Sequence, residues 1–283
     1  MKRITFLVLI IIVLIVIVGS FVFWKEKESN LSQKQALLEK TPQFQKKENE
    51  GTLMAEKEKI ELITEDGVKI KGIWQKVEGE KAVLLLHMMP ATKESWQNFS
   101  ELLAENNFSS LAIDLRGHGE SRETLDGKGL DYRYFSDSEH QKSILDLKAA
   151  SKFLEEKGFP LSNQYLVGAS IGANLALEFL SLNPEISKAV LLSPGLDYRG
   201  LKTEKFLENV QKNQKILAVA SRDDYYSFNS VEKLSQLAEE KELFFETQFY
   251  QSAGHGTDIF GKEKPDLTEV ILNFLKEDSG VEK

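Results

Sequence analysis

Cysteine is absent from the 283 residues of this chain, and histidine occurs only four times. The absence of cysteine excludes disulfide bonds, thiolate metal sites, a cysteine nucleophile and a lipid on an N-terminal cysteine. The four histidines lack the His-Glu-x-x-His spacing, so the sequence predicts no metal site. Because phosphate loops and dinucleotide fingerprints are lacking too, we expect no cofactor.

Clusters of basic residues are also missing. The chain has 36 Lys and Arg against 44 Asp and Glu, which gives a formal net charge of −8. A surface that binds nucleic acid needs clustered positive charge, so nucleic acid is excluded as a partner. The composition is otherwise that of a globular protein with room for one large domain, with 41% hydrophobic and 28% charged residues.

The N-terminus differs from everything that follows. Met1-Lys2-Arg3 precedes an apolar run from Ile4 to Trp24 that only Gly19 and Ser20 interrupt. About 21 such residues can cross a ~30 Å hydrocarbon core as a helix, and this run is apolar on every face. We therefore predict an uncleaved transmembrane signal anchor over residues 1–24. A cleaved signal peptide, cut after a small residue near Gly19, is the alternative.

Charges around this run predict the topology less directly. Lys2 and Arg3 favour a cytoplasmic N-terminus, although Lys25 and Lys27 lie just beyond the run. Long C-terminal domains are translocated largely regardless of charge. We predict a single-pass protein of the cell membrane, with residues 25–57 as a polar spacer and an extracytoplasmic catalytic domain over residues 58–280.

The domain begins with a β-hairpin pattern and continues as alternating strands and helices. Apolar and charged residues alternate on both sides of the turn at Asp66-Gly67. Short, nearly continuous apolar runs then predict strands at 82–87, 110–115, 165–169, 189–193 and 216–221, followed by a strand at 243–250. Helical patterns lie at 96–105, 138–157, 171–182, 205–211, 231–240 and 267–276. This order predicts an α/β fold with a mostly parallel sheet flanked by helices. The short connection between residues 193 and 216 leaves no room for a large cap domain.

The most informative motif surrounds Ser170. An apolar strand pattern leads into Gly168-Ala169-Ser170-Ile171-Gly172, and an apolar helix pattern leads out. A sharp strand-to-helix turn lifts a serine hydroxyl toward a base, and the flanking glycines let the backbone pass close to the turn. A possible acid, Asp224, and a possible base, His255, follow Ser170 in that order, each after its own predicted strand. A serine that only caps the next helix is the structural alternative.

From about residue 58 onward the chain resembles the α/β-hydrolase superfamily. The matching segments are Leu84–His87, Asp114–Ser121, the Gly-x-Ser-x-Gly motif at Ser170, and Gly254-His255-Gly256. Within the superfamily the chain is similar to esterases, monoacylglycerol-lipase-like enzymes and serine-aminopeptidase-like hydrolases. The resemblance implies the α/β-hydrolase fold and a serine nucleophile at Ser170.

The resemblance also implies the partners of Ser170. His255 would be the general base, and Asp224 would orient it, because Ser221 occupies the glycine position of the family's Gly-x-x-Asp pattern. Asp223 competes with Asp224, and Asp197 is the choice if the acid lies one strand earlier. His118 lies in the Asp114–Ser121 loop, where a supporting role is expected.

An oxyanion hole needs two backbone N–H groups. The first is predicted at Ile171, at the start of a helix. The second is predicted at Met89, with Met88 as the alternative, because Pro90 has no N–H to donate. The family usually has His-Gly at this turn, whereas this chain has His87-Met88. Pocket walls are predicted among Met88, Tyr132 and Tyr225, and also Tyr134 and Tyr198.

These residues together predict a membrane-anchored serine hydrolase that cleaves carboxylic esters through an acyl-enzyme intermediate. Its partner would be a small acyl substrate. Hydrolysis of small-peptide amides and acyl transfer use the same intermediate and remain alternatives. A catalytically silent binding module is the alternative from another class, favoured only by the methionines at 88 and 89.

Overall fold

The computed structural model describes residues 56–277. The predicted anchor over 1–24, nearly all of the predicted spacer over 25–57, and residues 278–280 of the predicted domain lie outside the described residues. Between residues 56 and 277, none of the helices combines the length and the apolar character that a bilayer span requires.

One large twisted sheet forms the centre of the described domain. Its strands are β1 (Glu56–Ile63), β2 (Val68–Lys76), β3 (Lys81–Leu86), β4 (Phe108–Ile113), β5 (Glu123–Thr124), β6 (Gln164–Ala169) and β7 (Lys188–Leu192), followed after a small hairpin by β10 (Lys215–Ser221) and β11 (Phe244–Tyr250). The spatial order is β1-β2-β4-β3-β6-β7-β10-β11, and the short β5 pairs with β2. The β1–β2 hairpin and the β2–β4 pair are antiparallel, whereas the strands from β4 to β11 are parallel.

Helices cover both faces of this sheet. They are α1 (Gln97–Glu105), α2 (Asp137–Gln141), α3 (Ile144–Glu156), α4 (Ile171–Leu182), α5 (Thr203–Leu207), α6 (Tyr225–Glu240) and α7 (Leu267–Lys276). Leu84 and Leu86 pack toward the face that carries α3 to α6, and Val83 and Leu85 toward the face of α1 and α7. Because successive side chains of a strand point to opposite faces, a strand covered on both faces must be apolar throughout. This is why the predicted strands lie within one or two residues of the observed ones.

The predicted helix over 138–157 is wrong as a single element. The chain forms α2 and then α3, with a turn at Lys142-Ser143 between them. Ser136 and Glu139 form a capping box that starts α2, and Ser143 stands at the N-cap position of α3. Serine favours caps because its hydroxyl competes with the helical hydrogen bonds. The apolar period alone did not reveal this break.

Helix α6 begins six residues before the predicted start at 231, and α5 ends before the predicted end at 211. The carboxylate of Asp224 accepts a hydrogen bond from the Ser227 N–H at 3.5 Å. An aspartate at the N-cap satisfies one of the free N–H groups of the first turn, so the helix starts directly after Asp224. This places Asp224 at the junction between a strand and a helix.

A two-strand hairpin that the sequence did not predict lies between β7 and α5. Its strands are β8 (Asp197–Tyr198) and β9 (Leu201–Lys202). The buried Asn174 side chain of α4 donates at 2.9 Å to the carbonyls of Gly195 and Leu201 and accepts from the Gly195 N–H. The hairpin is thereby fixed to the helix that follows Ser170.

Candidate active site

Ser170 lies in a tight turn between β6 and α4. Its backbone has φ of +55° and ψ of −120°, which is the left-handed side of conformational space for a residue with a Cβ. The Ser170 N–H donates to the Leu192 carbonyl at 2.8 Å, and Ala173 N–H donates to the Ser170 carbonyl at 2.9 Å. The turn is thus held on both sides, and Ser170 as a whole residue is 8% exposed.

Two glycines allow α4 to pass close to the sheet. A Cβ on Gly168 would lie 2.1 Å from the Gly172 oxygen, and one on Gly172 would lie 2.5 Å from the Leu86 oxygen. Both neighbours are backbone atoms, which cannot rotate away as a flexible side chain can. These positions therefore need glycine for close approach, as the Gly-x-Ser-x-Gly motif predicted.

Asp224 and His255 are joined by a hydrogen bond. The His255 Nδ1–H donates to Asp224 Oδ2 at 2.6 Å, with exposed side-chain fractions of 34% for His255 and 16% for Asp224. Burial acts to raise the pKa of Asp224, but the hydrogen bonds from His255 and Ser227 keep it below the usual value. An ionised Asp224 accepts the Nδ1 proton, which leaves Nε2 of a neutral imidazole as a proton acceptor.

The two other candidate acids have different partners. Asp223 is exposed and accepts hydrogen bonds from the Ser221 hydroxyl and from the Gly254 N–H at 3.2 Å. Asp197 lies at the start of β8, where its carboxylate accepts from the Gly200 N–H at 2.7 Å. Of the three aspartates, Asp224 is the one with a hydrogen bond to His255.

Side-chain oxygens hold the backbone on both sides of His255. Ala253 N–H donates to the Ser221 hydroxyl and Gly256 N–H to the Ser193 hydroxyl, both at 2.8 Å. Together with the Gly254 contact to Asp223, three N–H groups around His255 are fixed in this way. Sequence analysis did not identify these roles, although Ser193 and Ser221 lie at the carboxyl ends of predicted strands, where the site was expected.

The buried His87 side chain forms hydrogen bonds that stabilise the turn containing Met88 and Met89. Its Nδ1–H donates to the Met88 carbonyl at 2.9 Å, and its Nε2 accepts from the Leu115 N–H at 3.0 Å. Burial lowers the pKa of His87 to about 4, so the ring stays neutral near pH 7. In a trans peptide the N–H points opposite to the C=O, so the Met89 N–H is directed away from His87.

The predicted oxyanion donors have no hydrogen-bond acceptor among the described residues. Ile171 is the first residue of α4, where N–H groups have no partner within the helix. Among the hydrogen bonds of residues 56–277, neither Ile171 N–H nor Met89 N–H acts as a donor. The Met88 sulfur lies next to Gly256, because a Cβ added to Gly256 would be 2.6 Å from it.

Tyr198 lies near His255, with ring centroids 6.5 Å apart in an edge-on arrangement. Its phenol oxygen forms a hydrogen bond of 3.0 Å with the Ser227 hydroxyl. Within the described residues, Ser170 and His255 share no direct hydrogen bond. The structure thus brings Ser170, Asp224 and His255 to the same end of the sheet, with Tyr198 near His255.

The other predicted wall residues lie further from these contacts. The Tyr132 ring stacks on His118, with centroids 3.8 Å apart. Tyr225 and Tyr134 are exposed, at 76% and 82%. None of these three has a described contact with Ser170, Asp224 or His255, so their predicted substrate contacts remain predictions.

The Asp114–Ser121 loop is built from buried polar contacts. Asp114 accepts hydrogen bonds from the backbone and side chain of Lys93, and Arg116 binds Asp66 and Asp146. Burial and the nearby His87 lower the pKa of His118 to about 3. The expectation of a supporting role for this loop agrees with these contacts.

Cavities and acidic clusters elsewhere do not define a competing site. A cavity of about 390 Å³ beside Asp66 and Arg116, and one of about 250 Å³ beside Gln75 and Ser100, contain none of Ser170, Asp224 and His255 in their walls. Between residues 56 and 277, no group of three or more His, Asp or Glu side chains has a geometry that could hold a metal ion.

The sequence of this chain matches a family model and several curated proteins. A family model described as alpha/beta hydrolase fold matches residues 81–248. The chain is 28% identical over 172 residues to a putative 2-succinyl-6-hydroxy-2,4-cyclohexadiene-1-carboxylate synthase of Bacillus subtilis. It is 32% identical over 151 residues to monoacylglycerol lipase abhd6-A of Xenopus laevis. These matches cover 60% and 50% of this chain, but only 56% and 41% of the two relatives.

Solved structures show the same fold. The esterase Pf2001 of Pyrococcus furiosus aligns with a TM-score of 0.64 and 21% sequence identity, over 78% of this chain and 91% of the esterase. An identity this low carries information on the fold alone.

Proposed function

The chain belongs to the α/β hydrolase family, and from this premise we propose that it is a serine hydrolase of carboxylic esters. The observation that carries the proposal is the 2.6 Å hydrogen bond between His255 and Asp224, at the same end of the sheet as the turn that contains Ser170. A buried serine with a strained backbone, at the same end of the sheet as a histidine that is hydrogen-bonded to an ionised aspartate, is the arrangement that nucleophilic catalysis needs.

The proposed reaction begins with attack of Ser170 Oγ on the acyl carbon. His255 Nε2 takes the serine proton, and Asp224 holds the imidazole orientation and stabilises the imidazolium. The N–H groups of Met89 and Ile171 bind the negative oxygen that develops on the acyl group. His255 then protonates the leaving alkoxide, and an acyl-enzyme remains. A water molecule that His255 activates releases the acid and restores Ser170.

Esters are proposed as the substrates because an alkoxide is expelled more easily than an amine. The monoacylglycerol lipase among the relatives acts, by its name, on an ester. Amide hydrolysis and acyl transfer use the same intermediate, so product analysis with aminoacyl amides and with added alcohols separates them from ester hydrolysis.

A fluorophosphonate probe tests the proposal directly. We expect wild-type protein to be labelled at Ser170, because the probe reacts with activated serines, and to hydrolyse p-nitrophenyl butyrate. Ser170→Ala should lose both properties while keeping its thermal unfolding transition. Labelling at another serine, or no labelling and no hydrolysis by folded protein, would reject a hydrolase and favour a binding module.

Substitutions of the neighbouring Asp223 and Asp224 provide a matched test of which aspartate orients His255. Asp224→Asn should lower kcat by about three to four orders of magnitude, because an amide no longer fixes the histidine tautomer. Asp223→Asn should keep kcat within about tenfold, since it changes only one anchor of the loop. Steady-state kinetics with p-nitrophenyl butyrate measures both, and a larger loss in Asp223→Asn would reverse the assignment.

We also propose that the apolar run over residues 4–24 anchors the protein in the cell membrane, with the catalytic domain on the extracytoplasmic side. The support is the length of this run, about 21 residues, and the positive charge of Lys2 and Arg3 before it.

A further inference from the structure

The turn that contains Met89 is attached at both ends to the segment that follows β4. At its start, the buried His87 Nε2 accepts from the Leu115 N–H at 3.0 Å. At its end, the Lys93 N–H donates to Asp114 Oδ1 at 2.8 Å, and the Lys93 ammonium donates to Asp114 Oδ2 at 2.7 Å. The short stretch between His87 and Lys93 is therefore held at two points.

The ion pair of Lys93 and Asp114 lies in the interior of the domain. The Lys93 side chain is 1% exposed and that of Asp114 is 0% exposed. Asp114 Oδ2 also accepts from the Glu120 N–H at 2.8 Å, and a Cβ on Gly119 would lie 2.2 Å from the same oxygen. Separating such a pair leaves a buried charge without its partner, which is costly. The loop after β4 is thus a firm base for the turn.

The direction and the position of the Met89 N–H depend on different contacts. The His87 ring donates to the Met88 carbonyl at 2.9 Å and so sets the plane of the peptide that contains the Met89 nitrogen. Lys93 is the first residue of the 3₁₀ helix after the turn, so its pair with Asp114 sets where the turn ends. Oxyanion donors act at about 2.7–3.1 Å from the negative oxygen, so a small shift of the turn weakens their effect.

We propose that Lys93 is a positioning residue, whose ion pair with Asp114 holds the Met89 N–H in the place where it binds the oxyanion. This inference rests on the proposed serine hydrolase function. Lys93 itself remains buried against carboxylates and takes no part in proton transfer. Loss of the pair should therefore weaken stabilisation of the oxyanion more than it weakens substrate binding.

Lys93→Met tests this role, because methionine has nearly the length of lysine but no charge. Removal of one oxyanion donor costs about 10²–10³ in kcat, and a displaced donor should cost less. We expect kcat for p-nitrophenyl butyrate to fall about ten- to hundredfold and KM to stay within about threefold, since the lost interaction is made only in the transition state.

Inhibition by a trifluoromethyl ketone gives a second readout. Ser170 Oγ adds to its carbonyl carbon, the carbonyl oxygen becomes the oxyanion, and His255 takes the serine proton. The inhibition constant should rise by the factor by which kcat/KM falls, because both depend on the oxyanion donors. Partial unfolding would lower kcat but leave the inhibition constant unchanged. Unchanged inhibition, or folded Lys93→Met with kcat within about twofold of wild type, would overturn the proposal.

Glu120→Gln is the matched control. The Glu120 carboxylate is 54% exposed and binds the same ammonium at 2.7 Å, so its loss leaves the pair of Lys93 and Asp114 in place. Both kcat and the inhibition constant should stay within about twofold of wild type, because exposed ion pairs contribute little. A loss equal to that of Lys93→Met would overturn the proposal, since the link to Asp114 would then not be the cause.

Asp114→Asn is a second variant in case Lys93→Met does not fold. Its amide keeps an oxygen for the Lys93 N–H but no longer pairs with the ammonium as a carboxylate does, so kcat and inhibition should weaken together. Wild-type values in folded Asp114→Asn would contradict the proposed clamp. If the wild type neither hydrolyses the ester nor is labelled at Ser170, the proposed function fails instead. An active wild type with unchanged variants removes only the role of Lys93.

Discussion

Single residues in this domain are constrained by what lies within a few ångström of them. Gly172 must lack a side chain because the Leu86 carbonyl occupies that space, and Ser170 adopts a left-handed backbone because the turn requires it. His87 and His118 are neutral because both are buried. The same short-range contacts affect both the stability of the fold and the candidate site. The effect of burial on stability can be tested quantitatively at His118.

The stability contribution of His118 should depend on pH. Burial lowers the pKa of His118 to about 3 in the folded protein, against about 6.5 in the unfolded chain. Between these two values the unfolded chain binds a proton that the folded protein does not. The contribution is therefore full above pH 6.5 and falls by about 1.4 kcal/mol per pH unit below it.

His118→Asn isolates this effect from other titrating groups. Asparagine keeps an N–H donor for the Arg116 carbonyl but does not titrate. Urea unfolding of both proteins at pH 7.5, 5.5 and 4.5 should show that wild type loses stability relative to the variant as the pH falls. A difference that is constant across these pH values would show that the pKa of His118 is the same in the folded protein as in the unfolded chain, and would contradict its burial as a neutral ring.

At the scale of elements, the parallel strands bring distant segments to one edge of the sheet. Ser170 follows β6, Ser193 follows β7, Asp224 follows β10 and His255 follows β11. Ligand sites of such sheets lie at the carboxyl ends of the strands for this reason. The β8–β9 hairpin adds Tyr198 to the same edge, and its position depends on one side chain of α4.

Asn174→Ala tests this attachment. The substitution leaves the Gly195 N–H and the Leu201 carbonyl without their buried partner, so the free energy of unfolding should fall by about 2–4 kcal/mol. Asn209 is exposed and lies just after α5, so Asn209→Ala should change the free energy of unfolding by less than about 0.5 kcal/mol. Chemical denaturation measures both values, and equal effects would mean that Asn174 does not anchor the hairpin.

At the scale of the whole molecule, the described domain has an apolar core on each face of one sheet. Both clusters are made up of residues between Ile60 and Leu275, and their burial stabilises the domain. The apolar run over residues 4–24 has a separate proposed role, which is attachment to a membrane. The described domain and the proposed membrane anchor can therefore be separated by shortening the chain.

A chain that begins at residue 54 should fold and react with the fluorophosphonate at the wild-type rate. The full chain should stay with sedimented membranes after an alkaline wash, whereas the shortened chain should appear in the supernatant. Labelling slowed by more than about tenfold in the shortened chain would show that the N-terminal residues contribute to the site. Release of the full chain by the wash would reject the anchor.

The α/β class, the positions of the main strands along the chain and the turn at Ser170 could all be predicted from the sequence. These features depend on neighbours in the chain, because apolar runs, alternation and flanking glycines act over a few residues. The folded structure was needed to show that Asp224, and not Asp223, contacts His255, and that Tyr198 lies near His255. Those contacts join segments far apart in sequence, and differences of a few ångström separate a hydrogen bond from none. No local pattern encodes such distances, since they follow from how helices and strands pack together.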